Sequence, residues 1–136
     1  MFQELKNKFM QAAFLTSVWI LGLLTIFFGN MTVDLNLFWR ILGISSLFAV
    51  TFGMIYPYVW NYGTWTAPIN IVITTGVNIL SGFGAIYLLS KVMFNFIMSY
   101  WWEIILLDLI LHILMFYFYR KYENKQLVKK LNELKR

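Results

Sequence analysis

Long apolar segments separated by a few charged residues dominate this chain. No charged residue lies between Lys8 and Asp34, and residues 10–28 within that gap are long enough to cross a hydrocarbon core, which takes roughly 20 residues. A second charge-free stretch, residues 41–90, is too long for one span and sufficient for two. The pattern therefore predicts a first transmembrane helix at about 10–28 and two further ones within the second stretch.

The centre of the second stretch, residues 56–68, reads YPYVWNYGTWTAP and contains both prolines of the chain. Proline and glycine punctuate helices, and tryptophan and tyrosine collect at the membrane interface. We therefore predict a tight turn here, between spans at about 37–58 and 67–89. A further aromatic cluster, Tyr-Trp-Trp, begins a fourth span at about 100–119.

Basic residues predict the orientation of these spans. Of the 11 lysines and arginines, nine lie before the first span or after the last one, whereas Arg40 and Lys91 lie at the opposite membrane face. Cytoplasmic flanks carry the excess of Lys and Arg, so both termini are predicted to be cytoplasmic. In lipid each span must satisfy its own backbone hydrogen bonds. We therefore expect an all-α membrane protein, with an antiparallel four-helix bundle in residues 1–119 and a basic amphipathic helix in the tail 120–136.

Composition agrees with a membrane protein and excludes several kinds of site. The chain is 60% hydrophobic and 12% charged, whereas a soluble domain is about 45–50% apolar and about 25% charged. It has no cysteine and one histidine, so we expect no thiolate or multi-histidine metal site and no cofactor. The net charge of +5 is concentrated beside the last span. It therefore indicates the anionic inner leaflet as a partner rather than nucleic acid.

Two ionisable residues lie inside the fourth span. Asp108 and His112 are four residues apart, so they share one helix face. An ionisable group at the bilayer centre costs roughly 2.5–3.5 kcal/mol on insertion scales and is a functional-site hypothesis by default. Two interpretations stay open, a proton-sensitive or ion-binding pair and a polar clamp between helices.

The third span has a polar stripe that suits helix packing. Asn70, Thr74 and Asn78 recur at spacings of four, and such residues point inward in lipid and form hydrogen bonds between helices. Small residues let a neighbouring helix approach closely. The small residues expected to do so in this span are Gly76, Gly82 and Gly84.

One further pair of charges lies near the outer ends of the spans. Arg40 is about a turn inside the second span, and Glu103 is at a similar depth in the fourth. A salt bridge between them would lower the cost of burying each charge. Alternatively, the long Arg40 side chain reaches the lipid headgroups.

The tail has an apolar stripe beside its basic residues. Leu127, Leu131 and Leu134 are spaced at i, i+4 and i+7, which predicts an amphipathic helix. Such a helix lies on the anionic inner leaflet, at about 1 kcal/mol per basic residue, or docks a cytoplasmic partner through its leucines. Trp60 and Trp65, in the turn predicted on the same side, are candidates for the same docking surface.

Several residues from the second span onward form a recognisable pattern: Phe52-Gly53, Trp60, Trp65, Tyr87-Leu88-Leu89 and the tail segment Leu131-Asn132-Glu133-Leu134-Lys135. With this pattern, the chain from the second span onward resembles a family of small bacterial membrane proteins of unknown function. Members have four spans and are commonly encoded beside transcription regulators with a LytTR DNA-binding domain. Some act as membrane-bound inhibitors of that regulator. The resemblance implies a bacterial plasma-membrane protein with such a regulator as its cytoplasmic partner.

The chain departs from that family in the turn between the second and third spans. Family members usually carry charges there, whereas this turn reads Asn61, Tyr62, Gly63, Thr64. If the turn contacts a regulator, that contact cannot be ionic. The sequence also lacks the HExxH, GxSxG and phosphate-loop patterns of common enzymes.

These observations predict a non-enzymatic regulatory protein that binds and sequesters a cytoplasmic partner. The alternative is a small transporter, a channel subunit or an immunity protein, which would use the Asn70–Asn78 stripe and Asp108 as a polar path. An intramembrane enzyme would need two or more acids at one depth, and only Asp108 lies deep. Assembly into a homo-oligomer stays open.

Overall fold

The computed structural model describes residues 1–30, 32 and 34–134 of the chain. Every regular element in these residues is a helix, and the five helices are α1 (Phe2–Phe28), α2 (Leu35–Tyr62), α3 (Ala67–Leu89), α4 (Lys91–Met98) and α5 (Trp101–Leu134). Four of them, α1, α2, α3 and α5, are long and apolar enough to cross a membrane. The all-helical prediction is therefore confirmed for the described residues.

The second helix is wider than an ordinary α-helix over much of its length. Segments Ala49–Ile55 and Tyr58–Tyr62 are π-helical and lie on either side of Pro57. Proline has no backbone N–H, and its ring clashes with the carbonyl four residues earlier in an α-helix. The wide turns keep the chain helical past Pro57, where the sequence predicts the start of a turn. The connection to α3 is therefore shortened to residues 63–66.

The first and second helices approach each other to backbone contact at Gly53. A Cβ atom at this position would lie 2.7 Å from Cα of Phe9 and 2.8 Å from the backbone oxygen of Lys8. No side chain fits there, so glycine is required by the close approach. Further along the same interface the hydroxyls of Ser17 and Ser45 share a hydrogen bond of 2.9 Å.

Polar contacts also join the first turns of α1 to the end of α2. The Tyr62 hydroxyl donates to the Glu4 carboxylate, and Lys8 Nζ lies 2.7 Å from the other Glu4 oxygen. The residues before the predicted span therefore continue α1 and attach it to the last turn of α2.

The third helix packs against α2 through small side chains and buried hydroxyls. The Thr51 hydroxyl donates to the backbone oxygen of Leu47 at 2.9 Å, so Ser81 must donate to Thr51 across their 2.5 Å contact. A Cβ at Gly84 would lie 3.3 Å from Leu47 Cδ1, which places this glycine in the interface as predicted. For Gly76 and Gly82 that prediction is wrong, because no atom of another described helix lies within 4 Å of the space their Cβ would occupy.

The fourth helix is short and lies against the end of α3. Ser90 caps it by accepting a hydrogen bond from the backbone N–H of Met93 at 3.3 Å. The Phe94 ring packs edge-to-face on Tyr87, with centroids 5.3 Å apart. Val92 and Phe96 face away and are exposed, as expected for a helix that rests one apolar face on lipid.

The fifth helix runs without interruption for 34 residues, from Trp101 to Leu134. At about 1.5 Å per residue it is about 50 Å long, whereas a hydrocarbon core is about 30 Å thick. The predicted boundary after Tyr119 is therefore not a break in the helix. All described side chains from Asn124 to Glu133 are exposed.

Candidate functional site

The two ionisable residues of α5 lie against each other inside the protein. The ring nitrogen Nδ1 of His112 is 2.8 Å from the backbone oxygen of Asp108 and 3.6 Å from its carboxylate oxygen Oδ2. The side chains are 14% and 16% exposed, respectively. Both ionisable side chains therefore lie in an environment from which most solvent and lipid are excluded.

The third helix contributes an amide to this pair. Asn78 Nδ2 donates to Asp108 Oδ1 at 2.7 Å. The second carboxylate oxygen, Oδ2, is buried and accepts no hydrogen bond from the described residues. The carboxyl group is thus held at Oδ1 by Asn78, while Oδ2 lies 3.6 Å from His112 Nδ1.

The second helix contributes a tyrosine that the sequence analysis missed. The Tyr56 hydroxyl oxygen lies 2.5 Å from His112 Nε2 and 3.3 Å from the backbone oxygen of Thr74. In the sequence, Tyr56 reads as one more aromatic residue at the predicted turn. A buried tyrosine hydroxyl usually has a partner, but no sequence spacing links position 56 to position 112. We refer to Tyr56, Thr74, Asn78, Asp108 and His112 as the polar cluster.

The predicted polar stripe of α3 is divided between different neighbours. Only the Asn78 side chain reaches Asp108. Asn70 Nδ2 donates to the backbone oxygen of Val59 at 3.3 Å, in the second π-helical segment of α2. The Thr74 hydroxyl donates to the backbone oxygen of Asn70 at 2.8 Å, and its own backbone oxygen faces Tyr56. The three residues of the stripe therefore have different hydrogen-bond partners.

An aromatic cavity of about 260 Å³ lies beside the polar cluster, between α2 and α5. It is lined by Tyr56, Trp60, His112, Met115, Phe116 and Tyr119. The Trp60 ring stacks on Phe116 with centroids 5.7 Å apart. Trp60, one of the residues predicted to bind a partner, is thus packed against α5 and half-buried.

The predicted salt bridge between Arg40 and Glu103 is not present. Arg40 instead donates to the backbone oxygen of Leu89 at 3.5 Å, at the C-terminal end of α3. Helix ends carry unsatisfied carbonyls that attract cations, so α3 supplies the counter-charge that Glu103 was expected to provide. Glu103 is exposed on the first turn of α5.

Three of the residues predicted to bind a partner are exposed. Leu127 is 51% exposed, Leu131 59% and Trp65 46%. The side chain of Leu134 lies outside the described residues. The exposed residues are available for a contact, although the leucines and Trp65 belong to different elements.

The polar cluster has the chemistry of a proton site. Its side chains offer one carboxylate, one imidazole, one phenol and one amide in direct contact. The described residues contain no group of three or more His, Cys, Asp or Glu that could hold a metal ion. The cluster can therefore store or rearrange protons between α2, α3 and α5.

Comparison with known proteins adds no family to this picture. No protein-family model matches the chain, and no curated protein or solved structure matches it either. The function proposed below therefore depends on the geometry and on the sequence resemblance described above.

Proposed function

We propose that this chain is a non-enzymatic regulatory protein of the bacterial cell membrane that binds a cytoplasmic partner through the end of α5. The observation that carries the proposal is the unbroken continuation of α5 beyond its apolar part, with Leu127 and Leu131 exposed. A helix that leaves the membrane without a kink projects into the solvent and does not lie on the lipid surface. Its leucine stripe then meets a soluble protein.

The proposal includes an antiparallel four-helix bundle with both termini in the cytoplasm. Contacts support opposite directions for neighbouring helices, since Glu4 meets Tyr62 while Ser17 meets Ser45. In the same way Thr51 meets Ser81 while Val59 meets Asn70. With an even number of spans, the positively charged tail and the N-terminal lysines share the cytoplasmic face.

The proposed partner is a transcription regulator with a LytTR-type DNA-binding domain, held at the membrane and away from DNA. A basic tail repels a basic DNA-binding face. Docking therefore uses the apolar stripe of Leu127 and Leu131 against another face of the partner. Trp65, in the short connection between α2 and α3, lies on the same proposed side and extends the surface.

Affinity capture from native membranes tests this function. Full-length protein is compared with a version truncated after Lys121 and with the double variant Leu127→Ser/Leu131→Ser. The double variant Gln126→Ser/Asn132→Ser, which changes exposed polar residues of the same segment, is the matched control. We expect a DNA-binding regulator to be recovered with the full-length protein and the control, and to be lost with the other two. Equal recovery with all four would place docking outside this segment, and no capture by any of them would reject the proposal.

A second candidate function is movement of protons or ions through the bundle. The observation that favours it is Asp108 Oδ2, a buried oxygen that accepts no hydrogen bond from the described residues. Flux assays in liposomes, comparing the natural chain with Asp108→Asn, test this candidate. Flux that is abolished by the substitution would favour transport over tethering.

A further inference from the structure

The hydrogen bonds of the polar cluster determine where its protons lie. His112 Nδ1 is 2.8 Å from the backbone oxygen of Asp108. A carbonyl oxygen only accepts hydrogen bonds, so Nδ1 must carry a hydrogen atom. The charge of the ring is therefore decided by its other nitrogen, Nε2, which faces Tyr56.

Tyr56 has one hydroxyl hydrogen and two neighbours that compete for it. Its oxygen lies 2.5 Å from His112 Nε2 and 3.3 Å from the backbone oxygen of Thr74. The Thr74 oxygen can only accept, so the hydrogen points towards it if both contacts are hydrogen bonds. Nε2 then donates to the Tyr56 oxygen. A histidine that donates from both nitrogens is an imidazolium cation.

Asp108 supplies the matching negative charge. Asn78 donates to Oδ1, while Oδ2 lies 3.6 Å from His112 Nδ1 and accepts no hydrogen bond from the described residues. A protonated carboxyl group would need an acceptor beside Oδ2, but the Nδ1–H group that faces it is a donor. The carboxylate form fits the contacts, and a paired charge is far less costly in a membrane than a lone one.

Few other ionisable groups face this pair. The third helix contains no Asp, Glu, Lys, Arg or His, and α2 contributes Tyr56. The charge of Arg40 on α2 is engaged at the far end of α3. On α5 the next charged residues are Glu103 and Arg120, each more than one helical turn from the pair, and α1 supplies no member of the cluster.

We propose that Asp108 and His112 form an ion pair that holds one exchangeable proton inside the membrane. The direction in which the Tyr56 hydroxyl of α2 points depends on whether that proton is bound. When Nε2 loses its proton, it becomes an acceptor, and the Tyr56 hydroxyl turns from Thr74 to Nε2. The Asp108 carboxylate is then left without a counter-charge. The contacts of α5 with both α2 and α3 therefore change with a single proton, whether or not α5 also docks a partner.

The aromatic cavity lies between the pair and the charged part of α5. It borders Tyr56 and His112 and extends along α5 to Tyr119, which directly precedes Arg120 and the charged part of the helix. This distance is about two helical turns.

Nitrogen NMR of the full chain in lipid nanodiscs tests the proposal. His112 is the only histidine, so the imidazole signals need no assignment to a residue. With ¹⁵N-labelled histidine, both ring nitrogens are observed from pH ~5 to ~8, the range in which imidazole groups ordinarily change charge. We expect two protonated nitrogens over part of that range, and loss of the proton from Nε2 alone as the pH rises. A ring with one protonated nitrogen at every pH in that range would overturn the proposal.

Two variants separate this assignment from a purely structural role. Asp108→Asn removes the counter-charge, and its histidine is expected to carry one proton across the whole range. Tyr56→Phe removes the acceptor of Nε2–H and is expected to change the Nε2 signal while Nδ1 keeps its bond to the backbone. The control is Tyr117→Phe, at an exposed position of α5, and it should reproduce the natural spectrum. If Asp108→Asn folds and titrates like the natural chain, the ion pair is refuted; if it does not fold, the Tyr56→Phe spectrum decides.

Discussion

The Tyr56 hydroxyl lies 2.5 Å from Nε2 of His112, although 56 positions separate the two residues in the chain. This contact joins the second and fifth helices, while Asn78 joins the third helix to Asp108, the residue one turn before His112. Three long helices thus share one hydrogen-bonded group of side chains. A change at any member therefore reaches α5, the helix that also carries the exposed tail.

Adding a methyl group at Gly53 is expected to destabilise the protein strongly. The Cβ of Gly53→Ala would lie 2.7 Å from the backbone of Phe9, and backbone atoms cannot move aside as the end of a flexible side chain can. Overpacking of this kind typically costs about 1–3 kcal/mol. The free energy of unfolding in mixed detergent micelles measures the loss.

Gly82→Ala is the matched control for that substitution. It also adds one methyl group to a long helix, but no atom of another described helix lies within 4 Å of the added carbon. We expect its unfolding free energy to stay close to that of the natural chain. Equal losses for the two variants would show that α1 does not contact α2 at Gly53.

The hydroxyl pair Thr51 and Ser81 is expected to couple α2 and α3 energetically. A double-mutant cycle with Thr51→Val and Ser81→Ala measures this coupling through unfolding free energies. Hydrogen bonds between membrane helices average about 0.6 kcal/mol and reach about 1.7 kcal/mol. We expect a value in the upper half of that range because both residues are buried.

A second cycle provides the reference for this measurement. Thr25 is exposed, and its hydroxyl donates only to the backbone of Leu21 in its own helix. Combining Thr25→Val with Ser81→Ala should therefore give additive losses. A coupling energy no larger than that of the Thr25 cycle would contradict the Thr51–Ser81 contact.

Removing the Asn78 amide is expected to destabilise the bundle through Asp108. The variant Asn78→Ala leaves the carboxylate without its hydrogen-bond donor from α3, and an unsatisfied buried group costs about 1–3 kcal/mol. Thermal unfolding in detergent checks this, with Asn95→Ala on the exposed face of α4 as the control. Identical melting temperatures for the two variants would exclude Asn78 from the cluster.

Single cysteines test which side of the membrane each segment faces. The natural chain contains no cysteine, so it gives no background labelling of its own. Cysteine replaces the exposed residues Gln3, Asn95 or Gln126, and intact cells are treated with a membrane-impermeant maleimide. The antiparallel bundle predicts labelling at position 95 in intact cells, and at positions 3 and 126 only after permeabilisation. Labelling at position 3 but not at 126 in intact cells would mean an odd number of crossings.

The sequence analysis predicted an all-helical chain with four long apolar helices, which the described residues contain, because a helix in lipid is decided locally. A run of about 20 apolar residues has no alternative in a bilayer except to form its own hydrogen bonds. The i, i+4 spacing put Asp108 and His112 on one face for the same reason. It did not show that α2 continues through Pro57, since the wide turns that accommodate a proline depend on packing against α1 and α3.

What the sequence by itself determined is therefore the set of helices and the side chains that share each helix face. Only the tertiary structure decided which faces meet. In the tertiary structure Tyr56 contacts His112, and Arg40 contacts the end of α3 rather than Glu103. Gly53 lies against the backbone of α1, whereas no atom of another described helix lies within 4 Å of a Cβ at Gly82. The physical reason is that periodicity defines the faces of a single helix, whereas the rotation and depth of one helix against another arise from all their contacts together.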